Sequence, residues 1–252
     1  MWAERAGAAR GDHPHERVAY GPGPREVLDL FTPERQPDAP VAVFLHGGYW
    51  QALDGAAFHG IASALLSHGV AVAIPTYDLA PAVSLGRILR QVRTATDLIR
   101  ERTGYRPLVF GHSAGGHLTA MTMVTDWPSF EKGLPVDLVS GGLPISGVYD
   151  VEPIRLTPLN DAVRMKAEDV AALSPMFMEP ATLAPAIVAF GGAESAEFHR
   201  HANDLAGAWG AHGVPTEVLE IPGRNHFTAL SALAETEEPL FQAALKLLKL
   251  KG

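Results

Sequence analysis

The sequence has 252 residues, a formal net charge of −8 and no cysteine. Apolar residues make up 47% of it, enough for one sizeable core, and the length suits a single domain. The acidic balance argues against nucleic-acid binding, and the lack of cysteine excludes a disulfide framework and a thiolate nucleophile. No run approaches the roughly 18 apolar residues of a membrane span, and no signal-peptide core begins the chain, so we expect a soluble, cytoplasmic protein without a membrane partner.

Short apolar runs alternate with amphipathic segments along the chain. After an irregular arm over residues 1 to about 24, the runs predict strands at Val27–Phe31, Val41–Leu45, Val70–Ile74, Leu108–Phe110, Leu138–Ile145, Ile187–Phe190 and Thr216–Ile221. Helical spacing predicts helices at about Ala56–His68, Leu85–Arg102, Ala114–Thr125, Ala196–His212 and Leu240–Leu250. This alternation predicts an α/β fold with a mostly parallel sheet and helices on both faces.

One segment, from about residue 151 to residue 183, breaks the alternation. It is rich in proline and longer than a simple crossover between two strands requires. We expect it to form a small lid over the functional site. The whole chain is then one domain, with an N-terminal arm and a lid segment.

A candidate nucleophile follows the run that ends at Phe110. Ser113 is the central residue of Gly111-His112-Ser113-Ala114-Gly115, which lies between a predicted strand and a predicted helix. That order is the context of the nucleophile elbow in the α/β-hydrolase fold, where a strained turn exposes the serine oxygen. The N–H of Ala114 would face an oxyanion from the start of a helix, where negative charge is stabilised.

A second glycine-rich loop, His46-Gly47-Gly48-Tyr49-Trp50, follows the strand predicted at Val41–Leu45. Successive glycines allow backbone N–H groups to approach a substrate closely, and this fold takes further oxyanion donors from this loop. We expect the N–H groups of Gly48 and Tyr49 to be those donors. His46 is interpreted as structural, holding the loop by a hydrogen bond.

The base and the acid should follow Ser113, in the chain order serine, acid, histidine. Of the 11 histidines, His226 alone lies in a turn-rich loop after the last predicted strand, so it is the expected base. Glu194 follows the strand that ends at Phe190 and is the favoured acid. Asp150, after the preceding strand, is the main rival, with helix capping as its structural alternative. Glu197 is a weaker candidate because it begins a helix.

Metal binding has little support in the sequence. His13-Pro14-His15 and His199-Arg200-His201 are histidine pairs, but no neighbouring residues complete a ligand set. We therefore predict no metal and no cofactor, and a small molecule as the binding partner. The sequence leaves the oligomeric state open, a homodimer included.

Three segments carry a more specific resemblance. His46-Gly47-Gly48-Tyr49-Trp50 resembles the HGGxW signature of the kynurenine formamidases of α/β-hydrolase type. The segment Gly111–Leu118 looks like their elbow, and Ser146–Pro153, with later Leu159-Asn160 and Ser174-Pro175, looks like the part that follows. The resemblance implies a triad of Ser113, Glu194 and His226. Where this chain has Glu194, the family more often has aspartate.

The resemblance implies an amidase that hydrolyses N-formyl-L-kynurenine to formate and kynurenine. Tyr49, Trp50 and Phe177 are candidates for an aromatic wall around the substrate, with core packing as an equal alternative for Phe177. A carboxylesterase for short acyl esters would use the same groups. A non-enzymatic binding protein on a hydrolase scaffold is a third hypothesis, although such proteins usually lack a triad member.

Overall fold

The computed structural model describes residues 13–34 and 39–249, and a sheet of eight strands forms its centre. The strands are β1 (His15–Ala19), β2 (Val27–Phe31), β3 (Val41–Leu45), β4 (Ala71–Thr76), β5 (Leu108–His112), β6 (Gly141–Ile145), β7 (Ala186–Gly191) and β8 (Thr216–Ile221). Their order across the sheet is β1-β2-β4-β3-β5-β6-β7-β8.

Most of this sheet is parallel and buried on both faces. Every residue of β3, β4, β5, β6 and β7 is buried, as their continuous apolar runs predict for strands covered on both faces. The six strands from β4 to β8 in the sheet order pair in parallel. The strand β2 pairs antiparallel with both of its neighbours, β1 and β4. The predicted mostly parallel α/β sheet is confirmed.

Helices cover both faces of the sheet. They are α1 (Ala62–Ser67), which continues a 3₁₀ turn at Gly55–Ile61, α2 (Leu85–Thr103), α3 (Ala114–Met123), α4 (Trp127–Phe130), α5 (Glu152–Arg155), α6 (Asn160–Val163), α7 (Val170–Leu173), α8 (Ala196–Ala211), α9 (His226–Ala229) and α10 (Pro239–Leu247). One apolar core contains residues of α2, α3 and α8, and the other contains residues of α1 and α10. Within the described residues, no helix has the combined length and apolarity that crossing a membrane would need.

The N-terminal arm is more ordered than the sequence predicts. β1 pairs with β2 so that His15 lies opposite Phe31 and Ala19 opposite Val27, and the prediction of irregular structure is wrong for this stretch. Apolar periodicity could not reveal β1, because it is a mostly exposed edge strand with few apolar residues. Residues 1–12 of the predicted arm lie outside the described residues.

The segment predicted as a lid contains α5, α6 and α7 and two 3₁₀ helices, at Ala167–Asp169 and Pro175–Phe177. It is tied to the rest of the molecule by hydrogen bonds to the carbonyl oxygens of Leu159 and Leu173, from Gln51 Nε2 at 2.9 Å and His117 Nε2 at 2.8 Å respectively. Gln51 directly follows the HGGYW loop, so this segment contacts the neighbourhood of that loop. That it acts as a lid stays a prediction.

Candidate active site

Ser113 lies at a sharp turn between β5 and α3. Its backbone has φ 58° and ψ −119°, in a region that residues with a side chain rarely adopt. The glycines around it permit a close approach, since a Cβ on Gly115 would lie 1.9 Å from Leu45 O and one on Gly111 would lie 2.5 Å from Gly115 O. The strained turn is therefore built into the sequence, as the elbow motif predicts.

The structure brings Ser113, His226 and Glu194 together in one hydrogen-bonded chain. Ser113 Oγ lies 3.0 Å from Nε2 of His226, and Nδ1 of His226 lies 2.6 Å from Oε1 of Glu194. The three residues follow β5, β7 and β8, whose carboxyl ends meet at one edge of the parallel sheet. The arrangement can move a proton from a serine hydroxyl to an imidazole oriented by a carboxylate.

The Glu194 carboxylate is fixed from both of its oxygens. Its side chain is fully buried, and Oε2 accepts hydrogen bonds from Ser146 Oγ at 2.8 Å and from the N–H of Gly191 at 2.7 Å. Burial alone would raise the pKa of Glu194, but the hydrogen bonds from His226, Ser146 and Gly191 outweigh it and lower that pKa. The group is therefore a carboxylate at neutral pH.

Sequence reasoning missed Ser146, which donates to Glu194. The residue directly follows β6, so its position at a strand end was the signal available for it. Its backbone has φ 49°, and its N–H donates to Ala189 O at 2.8 Å, which fixes the hydroxyl against the neighbouring strand β7.

The rival acids have other partners. Oδ1 of Asp150 accepts the N–H of Glu152 at 3.0 Å in the turn that leads into α5, where Val151 is the N-cap residue, so the contact of Asp150 is local to that turn. Glu197 is exposed and binds Arg200 one turn along α8, with Oε2 2.9 Å from Nη2 of the guanidinium. Glu194 is the carboxylate that contacts His226.

The HGGYW loop has an unusual backbone. Gly48, Tyr49 and Trp50 have φ values of 110°, 52° and 59°, three left-handed residues in a row. Only glycine fits at position 48, because a Cβ there would lie 2.4 Å from Ala52 O. Gly48 and Tyr49 line the same cavity as Ser113, which places the two predicted oxyanion donors near the serine.

His46 has the structural position that the sequence indicates. Its buried ring stacks on Tyr77, with ring centres 4.1 Å apart and planes 2° apart, and its Nδ1 lies 2.8 Å from Gly47 O. Burial lowers the pKa of His46 to about 4, so the ring is neutral at neutral pH. The hydroxyl of Tyr77 donates to His46 O at 2.6 Å and holds the start of the loop.

The cavity beside Ser113 has a volume of about 310 Å³. Its lining is mainly apolar and contains no Asp, Glu, Lys or Arg among the described residues; it consists of Gly47, Gly48, Tyr49, Leu53, Phe58, His112, Ser113, His226, Phe227 and Leu230. Tyr49 and Phe227 are exposed at its mouth. An apolar cavity of this kind suits an aromatic or aliphatic substrate group.

Two of the three residues proposed for an aromatic wall lie elsewhere. Trp50 is 2% exposed and packs edge-on against His117, with ring centres 5.1 Å apart, so it belongs to the core. Phe177 is 66% exposed and is not part of the cavity lining. Of the three, only Tyr49 faces the cavity, while Phe227, which the sequence reasoning did not select, also does.

A second cluster of ionisable groups lies at the sheet edge. Asp29 on β2 is buried and accepts hydrogen bonds from Arg17 at 2.8 and 2.9 Å and from His59 Nε2 at 2.8 Å, with His15 Nε2 at 3.7 Å. The ligand atoms of His15, Asp29 and His59 lie within 4.8 Å of one another, a spacing that could hold a metal ion. Because the guanidinium of Arg17 already binds both carboxylate oxygens, the arrangement fits an ion-pair network better than a cation site.

Comparison with known proteins identifies relatives of the chain. The kynurenine formamidase of Salmo salar is 31% identical over 240 residues, a match that covers 92% of this chain and 81% of the relative. The chain belongs to the kynurenine formamidase family. The resemblance inferred from the HGGYW loop and the elbow is thereby confirmed. The profile of the BD-FAE family also matches residues 28–139 of this member of the kynurenine formamidase family.

Solved structures share the fold of this chain. A candidate thioesterase from Silicibacter sp. TM1040 is 32% identical, with a TM-score of 0.86 over 96% of this chain and 90% of that protein. The esterase of Pyrobaculum calidifontis has a TM-score of 0.79 over 98% of this chain and 90% of its own, and at 18% identity it shows the fold alone. The predicted α/β-hydrolase fold is confirmed, and this member of the kynurenine formamidase family is a hydrolase.

Proposed function

We propose that this hydrolase cleaves the formamide of N-formyl-L-kynurenine, giving formate and kynurenine, with Ser113 as nucleophile. The observation that carries the proposal is the hydrogen-bonded chain from Ser113 through His226 to Glu194 beside an apolar cavity, in a chain of this family. The cavity lining suits the aromatic ring of the substrate. The proposed reaction is a step in tryptophan breakdown.

In the first half of the reaction, Ser113 Oγ attacks the formyl carbon while His226 Nε2 takes its proton. Glu194 stabilises the imidazolium that forms and holds the imidazole in the tautomer with its proton on Nδ1. The N–H groups of Gly48, Tyr49 and Ala114 bind the oxyanion. Each such donor typically contributes about 10²–10³-fold in rate.

In the second half, the C–N bond breaks and His226 gives its proton to the departing aniline nitrogen. Ser113 then carries the formyl group as an ester. Water, deprotonated by His226, attacks this ester and releases formate, and the proton returns to Ser113 Oγ. Every atom of substrate and water is accounted for, and no cofactor is needed.

The test is kcat/KM for N-formyl-L-kynurenine against p-nitrophenyl acetate. We expect the larger value for the formamide, and Ser113→Ala should reduce both by about 10⁴–10⁶-fold. A much larger value for the ester would favour the carboxylesterase hypothesis. Failure of Ser113 to react with a fluorophosphonate in the folded protein would instead favour a binding protein.

A further inference from the structure

Besides the adjacent Phe227, whose ring centre lies 5.7 Å away, two aromatic side chains pack against the ring of His226. The ring of His112 lies 4.7 Å from it, tilted by 42°, and the ring of Phe198 on α8 lies 4.6 Å from it, tilted by 30°. Neither residue belongs to the proposed chain of proton transfer. Of the two, His112 makes a second contact with the base that has chemical consequences.

His112 also binds the backbone of His226. Its Nε2 lies 2.8 Å from the carbonyl oxygen of His226, and because a carbonyl only accepts, the ring proton must reside on Nε2. His112 is 8% exposed, and burial, followed by the charge of His226, lowers its pKa to about 4. The ring is therefore a neutral donor at the pH where the enzyme would work.

The hydrogen bond between His112 and the carbonyl oxygen of His226 joins the two segments that carry the proposed base and nucleophile. His226 stands at the first residue of α9, a helix of four residues, and is reached through the turn-rich loop after β8. His112 is the last residue of β5, directly before Ser113. The hydrogen bond thus ties the backbone of the base to the strand end that carries the nucleophile. A misplacement of about 1 Å can cost 10²-fold in rate.

The neutral state of His112 matters as well. His226 becomes positively charged during both halves of the proposed reaction, and a cationic neighbour with its ring centre 4.7 Å away would oppose that charge. A neutral imidazole supplies the hydrogen bond without this repulsion. Lysine or arginine at position 112 would supply a donor but also the unwanted charge.

We propose that His112 is a positioning residue, which holds His226 in register with Ser113 through its Nε2–H and its ring. It acts through His226, and the inference rests on the proposed role of His226 as the base. A glutamine at position 112 places an amide N–H near the position of Nε2, whereas phenylalanine keeps the ring and removes the donor.

The test compares His112→Phe and His112→Gln with His68→Phe as a matched control. His68 also donates to a backbone carbonyl, Ala64 O at 2.9 Å, and packs on an aromatic ring, Phe241, but it does not line the cavity. We expect His112→Phe to lower kcat by about 10–10²-fold with KM nearly unchanged. His112→Gln should recover most of kcat, and His68→Phe should leave it unchanged.

Proton NMR gives a readout that needs no substrate. The proton between His226 Nδ1 and Glu194 Oε1 should give a low-field resonance in the wild type, His112→Gln and His68→Phe. In His112→Phe it should broaden or move. If that variant does not fold, His112→Met serves as the donor-free variant in both measurements.

Either of two results would overturn the proposal: a donor-free variant with wild-type kcat and resonance, or a folded His112→Gln as impaired as His112→Phe. The labelling rate of Ser113 with a fluorophosphonate separates this inference from the substrate assignment. If the wild type is labelled but does not hydrolyse N-formyl-L-kynurenine, the proposed substrate fails. The effect of His112 on the labelling rate is then still measurable.

Discussion

Among the residues that the structure describes, two buried carboxylates each bind a histidine, and their surroundings differ. At the sheet edge, Asp29 lies 2.8 Å from Nε2 of His59. At the carboxyl ends of the strands, Glu194 lies 2.6 Å from Nδ1 of His226. In both pairs burial raises the pKa of the carboxyl while the hydrogen bonds outweigh it and lower that pKa, so both acids are charged at neutral pH.

The second nitrogen of each histidine distinguishes the pairs. His226 Nε2 faces Ser113 Oγ beside a cavity, whereas His59 Nδ1 is buried and has no hydrogen-bond partner among the described residues. Asp29 is also neutralised by Arg17, while the partners of Glu194 besides His226 are a hydroxyl and a backbone N–H. Of the two pairs, only Glu194–His226 therefore has the geometry that activation of a serine hydroxyl requires.

The largest effect should come from the carboxylate of the site. We expect Glu194→Gln to reduce kcat by about 10³–10⁴-fold, because glutamine can no longer stabilise the imidazolium or select the productive tautomer. KM should change little. Steady-state kinetics on N-formyl-L-kynurenine, or on p-nitrophenyl acetate, would measure both kcat and KM.

Glu194→Asp is the matched variant, since it keeps the charge and removes one methylene. Its kcat should lie between those of the wild type and Glu194→Gln. Equal activity of Glu194→Gln and the wild type would remove the distinction between the two pairs, because neither carboxylate would then act on its histidine during the reaction.

How far the sequence could predict these pairs depends on local pattern. Ser113, Glu194 and His226 each follow a strand whose apolar run is visible, so chain order and the rule that sites lie at strand ends selected the serine and the histidine. The same rule left Asp150 as a rival acid, because Asp150 also follows a strand. Asp29 and His59 have no such signal. They are 30 residues apart, and their pairing depends on the packing of a 3₁₀ turn against β2, which periodicity does not encode.

The cavity wall was harder to predict for a similar reason. Trp50 is one residue after Tyr49, yet the left-handed backbone of both residues sends one side chain into the core and the other to the cavity. The spacing of residues in the sequence does not predict such a turn. By contrast, the helical spacing of α2 was readable directly, and the helix begins at Leu85 as predicted and ends at Thr103, one residue beyond the predicted end.

The next largest effect should come from substitution of Asp29, the carboxylate of the pair at the sheet edge. Asp29→Ala should lower the free energy of unfolding by about 3 kcal/mol, the lower end for a broken interior ion pair, because Arg17 can reach solvent. The kcat of the folded enzyme should stay at the wild-type value. Chemical denaturation followed by fluorescence measures the free energy of unfolding. A loss of kcat without loss of stability would contradict a purely structural role.

The lowered pKa of Asp29 predicts that the free energy of unfolding depends on pH. The pKa of Asp29 is lower in the folded chain than its usual value of about 3.9, so its charge stabilises the fold above that pH and this contribution is lost as the pH falls further. Asparagine cannot titrate. The stability difference between the wild type and Asp29→Asn should therefore shrink as the pH is lowered from about 5 to 2. A difference that stays constant over this range would show that the charge of Asp29 contributes nothing.

The smallest effect should come from substitution of Asp150, the main rival of Glu194 as the acid of the site. Asp150 accepts one backbone hydrogen bond in the turn before α5, so Asp150→Ala should lower the free energy of unfolding by about 1 kcal/mol, as for one lost hydrogen bond. Its kcat should stay within about twofold of the wild type, since no step of the proposed reaction passes through it. A loss of kcat larger than that of Glu194→Gln would mean that the acid of the working enzyme is Asp150. The 2.6 Å contact between Glu194 and His226 would then have to break during the reaction, and the difference drawn between the two carboxylate–histidine pairs would no longer hold.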